Sequence, residues 1–246
     1  MALTRIDCSF FRGKEAKKDT CSFVAFNPRK KPGSLVVAGS QAIRMGLSSQ
    51  VACKLALEHF VAAILDSIES KDFDNGDAEE MGQALLEHSF RSANASVYEF
   101  GHQLAAGGRM AASVIGFVLE HDLASAGRVG PWTTYLWRDG ELFPFFERNE
   151  IAGATTGEDG FLGSQSVVTV ETASVPIESG DYLFVFSEKL SYGQEELLKE
   201  LTAAAQVTKD FVTDIVFKKV FANQPALGLA LCAQIGPDAI YLSEAV

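Results

Sequence analysis

The stretch Val129–Leu142, VGPWTTYLWRDGEL, reads as two aromatic-rich strands joined by a tight turn at Arg138-Asp139-Gly140. Asp-Gly between β-prone runs is a strong short-range hairpin signal, because both residues tolerate the positive φ such turns require. The hairpin is preceded by Val129-Gly130, and the residue after that pair is Pro131.

Outward from the hairpin the β character continues. SVIGFVLE (113–120) and DLASAGR (122–128) lie before it; ELFPFFE (141–147), SVVTVE (166–171) and DYLFVFS (181–187) follow its turn. Gly, Asp and Pro turns separate them, as in an antiparallel sandwich. Further upstream, TCSFVAF (20–26) and SLVVA (34–38) read as strands around the basic turn NPRKKPG. Between about 48 and 68 the pattern is helical and apolar on every side, which predicts burial between two layers. A second helix over about 77–105 carries the stripe Leu86, Phe90, Ala93, Val97, Phe100 and Leu104, and Asp77 with Glu80 resembles a capping box at its start. Helices over 193–205 and 207–222 and strands at 226–235 and 239–244 complete the chain. Helices in this order must cover sheet faces. The predicted fold is α+β, a four-layer α-β-β-α sandwich of two antiparallel sheets flanked by helices, with residues 1–246 as a single domain.

Composition narrows the function. The 246 residues carry a net charge of −11, which opposes a nucleic-acid or anionic-membrane surface. Lys14, Lys17, Lys18, Arg29, Lys30 and Lys31 cluster near the N-terminus but read as a solvated face. Cys8, Cys21, Cys53 and Cys232 show no metal-ligand spacing and read as small buried hydrophobes. Neither a secretory signal nor a membrane-length apolar run is evident, so a cytoplasmic protein is expected.

The usual chemical motifs are absent. His59, His88, His102 and His121 form no HExxH pair, and there is neither a GxSxG elbow nor a GxxxxGK[ST] loop. Asp72, Asp74 and Asp77 are close in sequence, yet an EF-hand loop needs glycine where Asp77 falls. Gly107-Gly108-Arg109 alone is weak evidence of an anion site.

The order of the pieces supplies more. KKDTCSFVAF, LVVAGSQAI, SANASVYEF, GRMAASVI, VGPWTTYLWRDGEL, SGDYLFVFSEKLS and ANQPALGLAL follow one another as do the motifs of the metal-dependent protein phosphatases (protein phosphatase type 2C). The chain resembles that family over nearly its whole length. The family's motifs are an "NED" strand, "VVADGMGG", "AN..V", "GMGTT-LV", "VGDSRAYLLRDGEL", "GD-LLLCSDGL" and a final "DN-T-VV". The resemblance implies two Mg²⁺ or Mn²⁺ ions held by Asp oxygens and bridged by the nucleophilic water.

Carried over residue by residue, most of that site is missing. Asp19 matches the aspartate of NED. The bridging aspartate of ADG falls at Gly39, and the next residue, which offers a main-chain carbonyl, is Ser40. The aspartate of GDSR, often a structural residue, falls at Pro131. The aspartate of SDG falls at Glu188, one methylene longer, and that of DN at Ala222, beside Asn223. Lys14 stands near the place of the phosphate-binding arginine. Asp19, Glu188 and Ser40 are therefore the candidate metal remnants, Lys14 the candidate phosphate contact, and Gly39, Pro131 and Ala222 the degenerate positions.

No residue qualifies as catalytic, and no cofactor is expected. The leading expectation is a pseudophosphatase that regulates by binding a protein, with phosphoproteins and kinases as the partner classes the family implies. The alternatives are an active metal-dependent serine/threonine phosphatase using Mg or Mn at a divergent site, and a small-molecule or peptide-binding module using Trp132, Trp137 or the AAGGRM turn.

Overall fold

A computed structural model of the protein describes residues 3–11, 21–31, 33–43, 46–70, 77–104, 110–120, 122–146, 160–208, 218–221, 228–236 and 242–244. In chain order the elements are β1 (Leu3–Phe11), β2 (Cys21–Phe26), β3 (Ser34–Ala42), α1 (Leu47–Ser70), α2 (Ala78–Gln103), β4 (Ala112–Glu120), β5 (Leu123–Val129) and β6 (Thr133–Arg138). They continue as β7 (Glu141–Pro144), β8 (Glu171–Pro176), β9 (Tyr182–Phe186), α3 (Tyr192–Thr208), α4 (Lys218–Val220), β10 (Gly228–Gly236) and β11 (Leu242–Glu244). The protein is an α+β fold with two sheets. No described helix is long and apolar enough to cross a membrane.

The chain forms two compact units, each assembled from separated stretches. One comprises Asp19–Trp132 and Glu147–Pro176. Its five strands run β2-β3-β4-β5-β8, antiparallel throughout. Alternation sends Val36 and Ala38 of β3, and Val114 and Val118 of β4, toward a core shared with α1 and α2. The intervening Leu35, Val37, Ile115, Phe117 and Leu119 are buried as well, which is why these strands read as near-continuous apolar runs.

The other unit comprises Met1–Lys18, Thr133–Phe146 and Ile177–Val246. Its six strands run β11-β1-β10-β9-β6-β7. Tyr182, Phe184 and Phe186, two residues apart on β9, stack on one face with centroids 6.1 and 6.4 Å apart. Tyr135 and Trp137 pair with Phe184 and Tyr182 across β6, and Leu198 of α3 joins the same core.

Several expectations need correction. β1 was not foreseen, although Ile6, Cys8 and Phe10 alternate with Arg5, Asp7 and Ser9 in its sequence. It pairs antiparallel with β10 but parallel with β11, so the six-stranded sheet is not purely antiparallel. The strand expected at 166–171 begins only at Glu171, where pairing with Arg128 starts. The Asn94 amide holds the carbonyls of Gln165 and Ser166 at 3.1 and 3.2 Å, which engages that backbone outside the ladder.

α1 is not buried all round. Ala52, Cys53, Ala56, Leu57, Phe60, Ala63, Ile64 and Ser67 form one buried stripe, whereas Ala62 and Leu65 face solvent. Asp77 stands at the α2 N-cap with extended backbone, but its side chain makes no capping hydrogen bond. Of the helix expected over 207–222, most lies outside the described residues; its first two positions end α3, which runs on to Thr208, and α4 covers Lys218–Val220.

Candidate functional site

Gly39 and Ser40 lie near the C-terminal end of β3, an interior strand. Gly39 pairs with Phe23 of β2 and Ile115 of β4, and Ser40 pairs with Ser22 and Val114. Pairing continues through Ala42, so the Ser40 carbonyl sits within the ladder rather than at a free strand end. Its hydroxyl is fully buried and donates to the Cys53 carbonyl of α1 at 3.2 Å. This position thus serves to hold α1 on its sheet. Beside it, burial pushes the Cys53 thiol up to about 12, so the side chain behaves as an apolar one.

Pro131 is exposed in the turn between β5 and β6. Gly130 before it has φ +100°, and a Cβ there would lie 2.6 Å from the Ser113 Cβ, so both backbone conformation and space require glycine. Arg128 of β5 holds this turn. Arg128 donates from Nε to Glu171 at 2.9 Å and from Nη1 to the Trp132 carbonyl. Trp132 is fully buried, so it offers no open cleft wall.

Glu188 follows β9 and is half-buried. Burial lifts its carboxyl above the ordinary glutamate range, and among the described residues it has no ion-pair partner. The segment before it is fixed to β10: Leu229 N donates to Ser187 Oγ, and Ser187 N to the Leu229 carbonyl, both at 2.9 Å. A Cβ on Gly228 would lie 4.0 Å from Glu188 Oε1. Asp19, Lys14 and Ala222 lie outside the described residues. Among the described residues no three His, Cys, Asp or Glu side chains are grouped to hold a metal.

Two other residues have roles that sequence reasoning passed over. Asn94, within SANASV, is buried; besides its two donated bonds it accepts from Gly163 N at 2.8 Å, and so fixes the segment before β8. Asp181, in the Gly-Asp turn, is buried and receives Arg138 Nε at 2.9 Å and Nη2 at 2.6 Å. That carboxylate raises the Arg138 guanidinium above its ordinary range. An Asp one residue before a strand and an Arg at a hairpin turn were visible as residues, but their pairing is non-local.

No family model matches the sequence, and no curated protein matches it. Solved structures do. PppA, described as a key regulatory component of T6SS in Pseudomonas aeruginosa, superposes with a TM-score of 0.66 at 14% identity, over 95% of this chain and 98% of that one. The catalytic domain of the serine/threonine protein phosphatase PstP, in complex with two manganese ions, gives 0.64 at 16% identity, over 96% and 100%. The S. agalactiae serine/threonine phosphatase gives 0.69 at 14% identity, over 95% and 100%. Across nearly its whole length, the chain has the fold of the metal-dependent serine/threonine protein phosphatases.

Proposed function

We propose that the chain is a catalytically inactive, phosphatase-like scaffold that regulates by binding a protein partner, as a single domain in the cytoplasm. The observation that carries this reading is the environment of Gly39 and Ser40. Where the resembled enzymes place a bridging carboxylate, this chain has a glycine inside a continuous β ladder. The hydroxyl of the next residue is spent on the Cys53 carbonyl.

The residues present do not fit two hard cations. Gly39 and Ala222 carry no side-chain oxygen, and Asp19 and Glu188 alone are too few anionic ligands to displace the hydration shells of two ions. Fold and activity are separable, so the scaffold can persist without the chemistry. A regulatory protein of the same fold, PppA, is consistent with a protein as the partner.

The test is hydrolysis of a phosphoserine peptide and of an aryl phosphate by the purified chain with Mn²⁺ or Mg²⁺. No turnover above background is expected. Gly39→Asp with Ala222→Asp, and with Glu188→Asp added, is expected to gain activity. The opposing reading is an active enzyme in which Asp19, Glu188 and the Ser40 carbonyl hold a cation; the retained Glu188 carboxyl favours it. Wild-type turnover that Asp19→Ala abolishes would establish that reading instead.

A further inference from the structure

We infer that β8, the open edge of the five-stranded sheet, takes up an extended segment of a protein partner, bearing lysine or arginine, as an added antiparallel strand. β8 (Glu171–Pro176) has β5 as its ladder neighbour and ends its sheet. Register fixes which of its backbone groups are committed. Ala112 N donates to the Leu162 carbonyl and Leu162 N to the Ala112 carbonyl, both at 3.0 Å, so Ala112 turns its groups away from β3. In an antiparallel ladder a residue directs both groups to one side, and the residues before and after it direct theirs to the other. Val114, Gly116 and Val118 therefore bond to Val129, Gly127 and Ser125 of β5. Ala124, Ala126 and Arg128 are left to bond to Val175, Ala173 and Glu171 of β8.

The N–H and C=O groups of Thr172 and Ser174 consequently point outward from the sheet, and among the described residues they have no backbone partner. The same alternation turns the ring nitrogen of Pro176 outward, where proline costs the ladder nothing. Outward donors and acceptors on alternate residues of an edge are a template for another strand, whose main-chain bonds supply the affinity. This deepens the protein-binding reading above and rests on it only for the existence of a partner. The edge itself is independent of whether the chain hydrolyses phosphate.

The helix above this edge decides the occupant. Thr172 Oγ1 donates to Gln83 Oε1 at 3.4 Å, and Gln83 Nε2 donates to Ser174 Oγ at 3.3 Å, which seats Gln83 of α2 over these two residues. Gln83 Nε2 also reaches Glu79 Oε1 at 3.2 Å. Glu79 and Glu87 lie one turn to either side of Gln83 on the same flank. Arg91 pairs with Glu87, whereas Glu79 has no ion-pair partner among the described residues. An added strand places the side chains opposite Thr172 and Ser174 on this same face. Lysine or arginine there meets Glu79 on a chain of net charge −11, and an acidic side chain would be repelled. A second copy does not match: a two-fold axis at Ala173 would set Gln83 against Gln83 and bring Glu79 of one chain toward Glu87 of the other.

The experiment uses the full ¹⁵N-labelled chain with assigned backbone amides. The probe is a blocked Lys-Val-Lys-Val-Lys peptide; the controls are the same peptide N-methylated at its lysine amides and one with Glu in place of Lys. The basic peptide is expected to shift the Thr172 and Ser174 amides saturably and to slow their hydrogen exchange, Ala173 and Val175 being already bonded to β5. N-methylation is expected to abolish that protection. Ser174→Pro removes an outward donor and no ladder bond, and is expected to abolish binding. Glu79→Gln with Glu87→Gln is expected to weaken it about fivefold, the sum of two exposed charge contacts. No shift, or equal protection by the N-methylated peptide, overturns the added strand. Equal binding of the acidic peptide, or undiminished binding by the Glu79→Gln, Glu87→Gln variant, overturns the basic occupant. Protection of Thr172 and Ser174 that grows with protein concentration in the absence of peptide overturns it in favour of a second copy. Hydrolysis is assayed separately, so failure of the edge and failure of the inactive reading are told apart.

Discussion

Phe60 of α1 and Phe90 of α2 meet edge to face with ring centroids 5.0 Å apart, over a trough in the sheet made by two glycines. Gly116 of β4 and Gly127 of β5 are direct cross-strand partners. A Cβ at Gly116 would lie 2.3 Å from Phe60 Cζ, and one at Gly127 would lie 2.9 Å from Phe90 Cε2. The missing side chains are what let both helices seat their rings.

Gly116→Ala is therefore expected to destabilise the protein by about 1–3 kcal/mol, the range for overpacking a core, even though alanine suits a strand better than glycine. Chemical denaturation measures it. Combined with Phe60→Leu, the loss should be clearly less than additive, because the smaller side chain relieves the clash. Additive losses would mean the ring and the glycine do not oppose one another.

Asn94→Ala removes one acceptor and two donated bonds from a buried site. A loss of about 2–3 kcal/mol is expected, since the Gly163 amide is left unpaired in the interior. Amide hydrogen exchange should accelerate at Gly163 more than at β4 residues. Unchanged protection at Gly163 would sink the assigned role.

The Cys53 thiol, raised to about 12 by burial, gives a definite pH dependence. The unfolded thiol ionises near 8.5, so above that pH the unfolded state binds fewer protons than the folded one. The stability contribution is fully present below about pH 8.5 and falls as pH rises toward 12. Denaturation midpoints between pH 8 and 10, on the order of the usual thiol range, should decline in the wild type and decline less in Cys53→Ala. Parallel declines would mean another group controls this range.

Metal should leave the melting temperature where it is. A cation present at 100 times its dissociation constant would add about 2.7 kcal/mol, readily seen as a shift. No such shift is expected with millimolar Mn²⁺ for the wild type, whereas Gly39→Asp with Ala222→Asp should show one. A wild-type shift lost in Asp19→Ala would point to a surviving cation site.

Much of this protein was legible from its residues alone. The Arg138-Asp139-Gly140 hairpin, the apolar runs of β3, β4 and β9, and the α2 stripe through Phe90 and Val97 depend on local pattern, which neighbours in sequence set. The residues alone also show that glycine at 39 and alanine at 222 have no side-chain oxygen in any fold. Tertiary structure decided what local pattern leaves open. It chose which stripe of an almost uniformly apolar α1 is buried, because Gly116 accepts Phe60 and nothing described covers Leu65. It delayed the strand after Ser166 until Glu171, with Asn94, 71 residues before Gln165, claiming the carbonyls of Gln165 and Ser166. It also committed the Ser40 hydroxyl to Cys53 and the Arg138 guanidinium to Asp181. A hydrogen bond or a close approach depends on where two distant chain segments are brought together, and no periodicity within either segment carries that information.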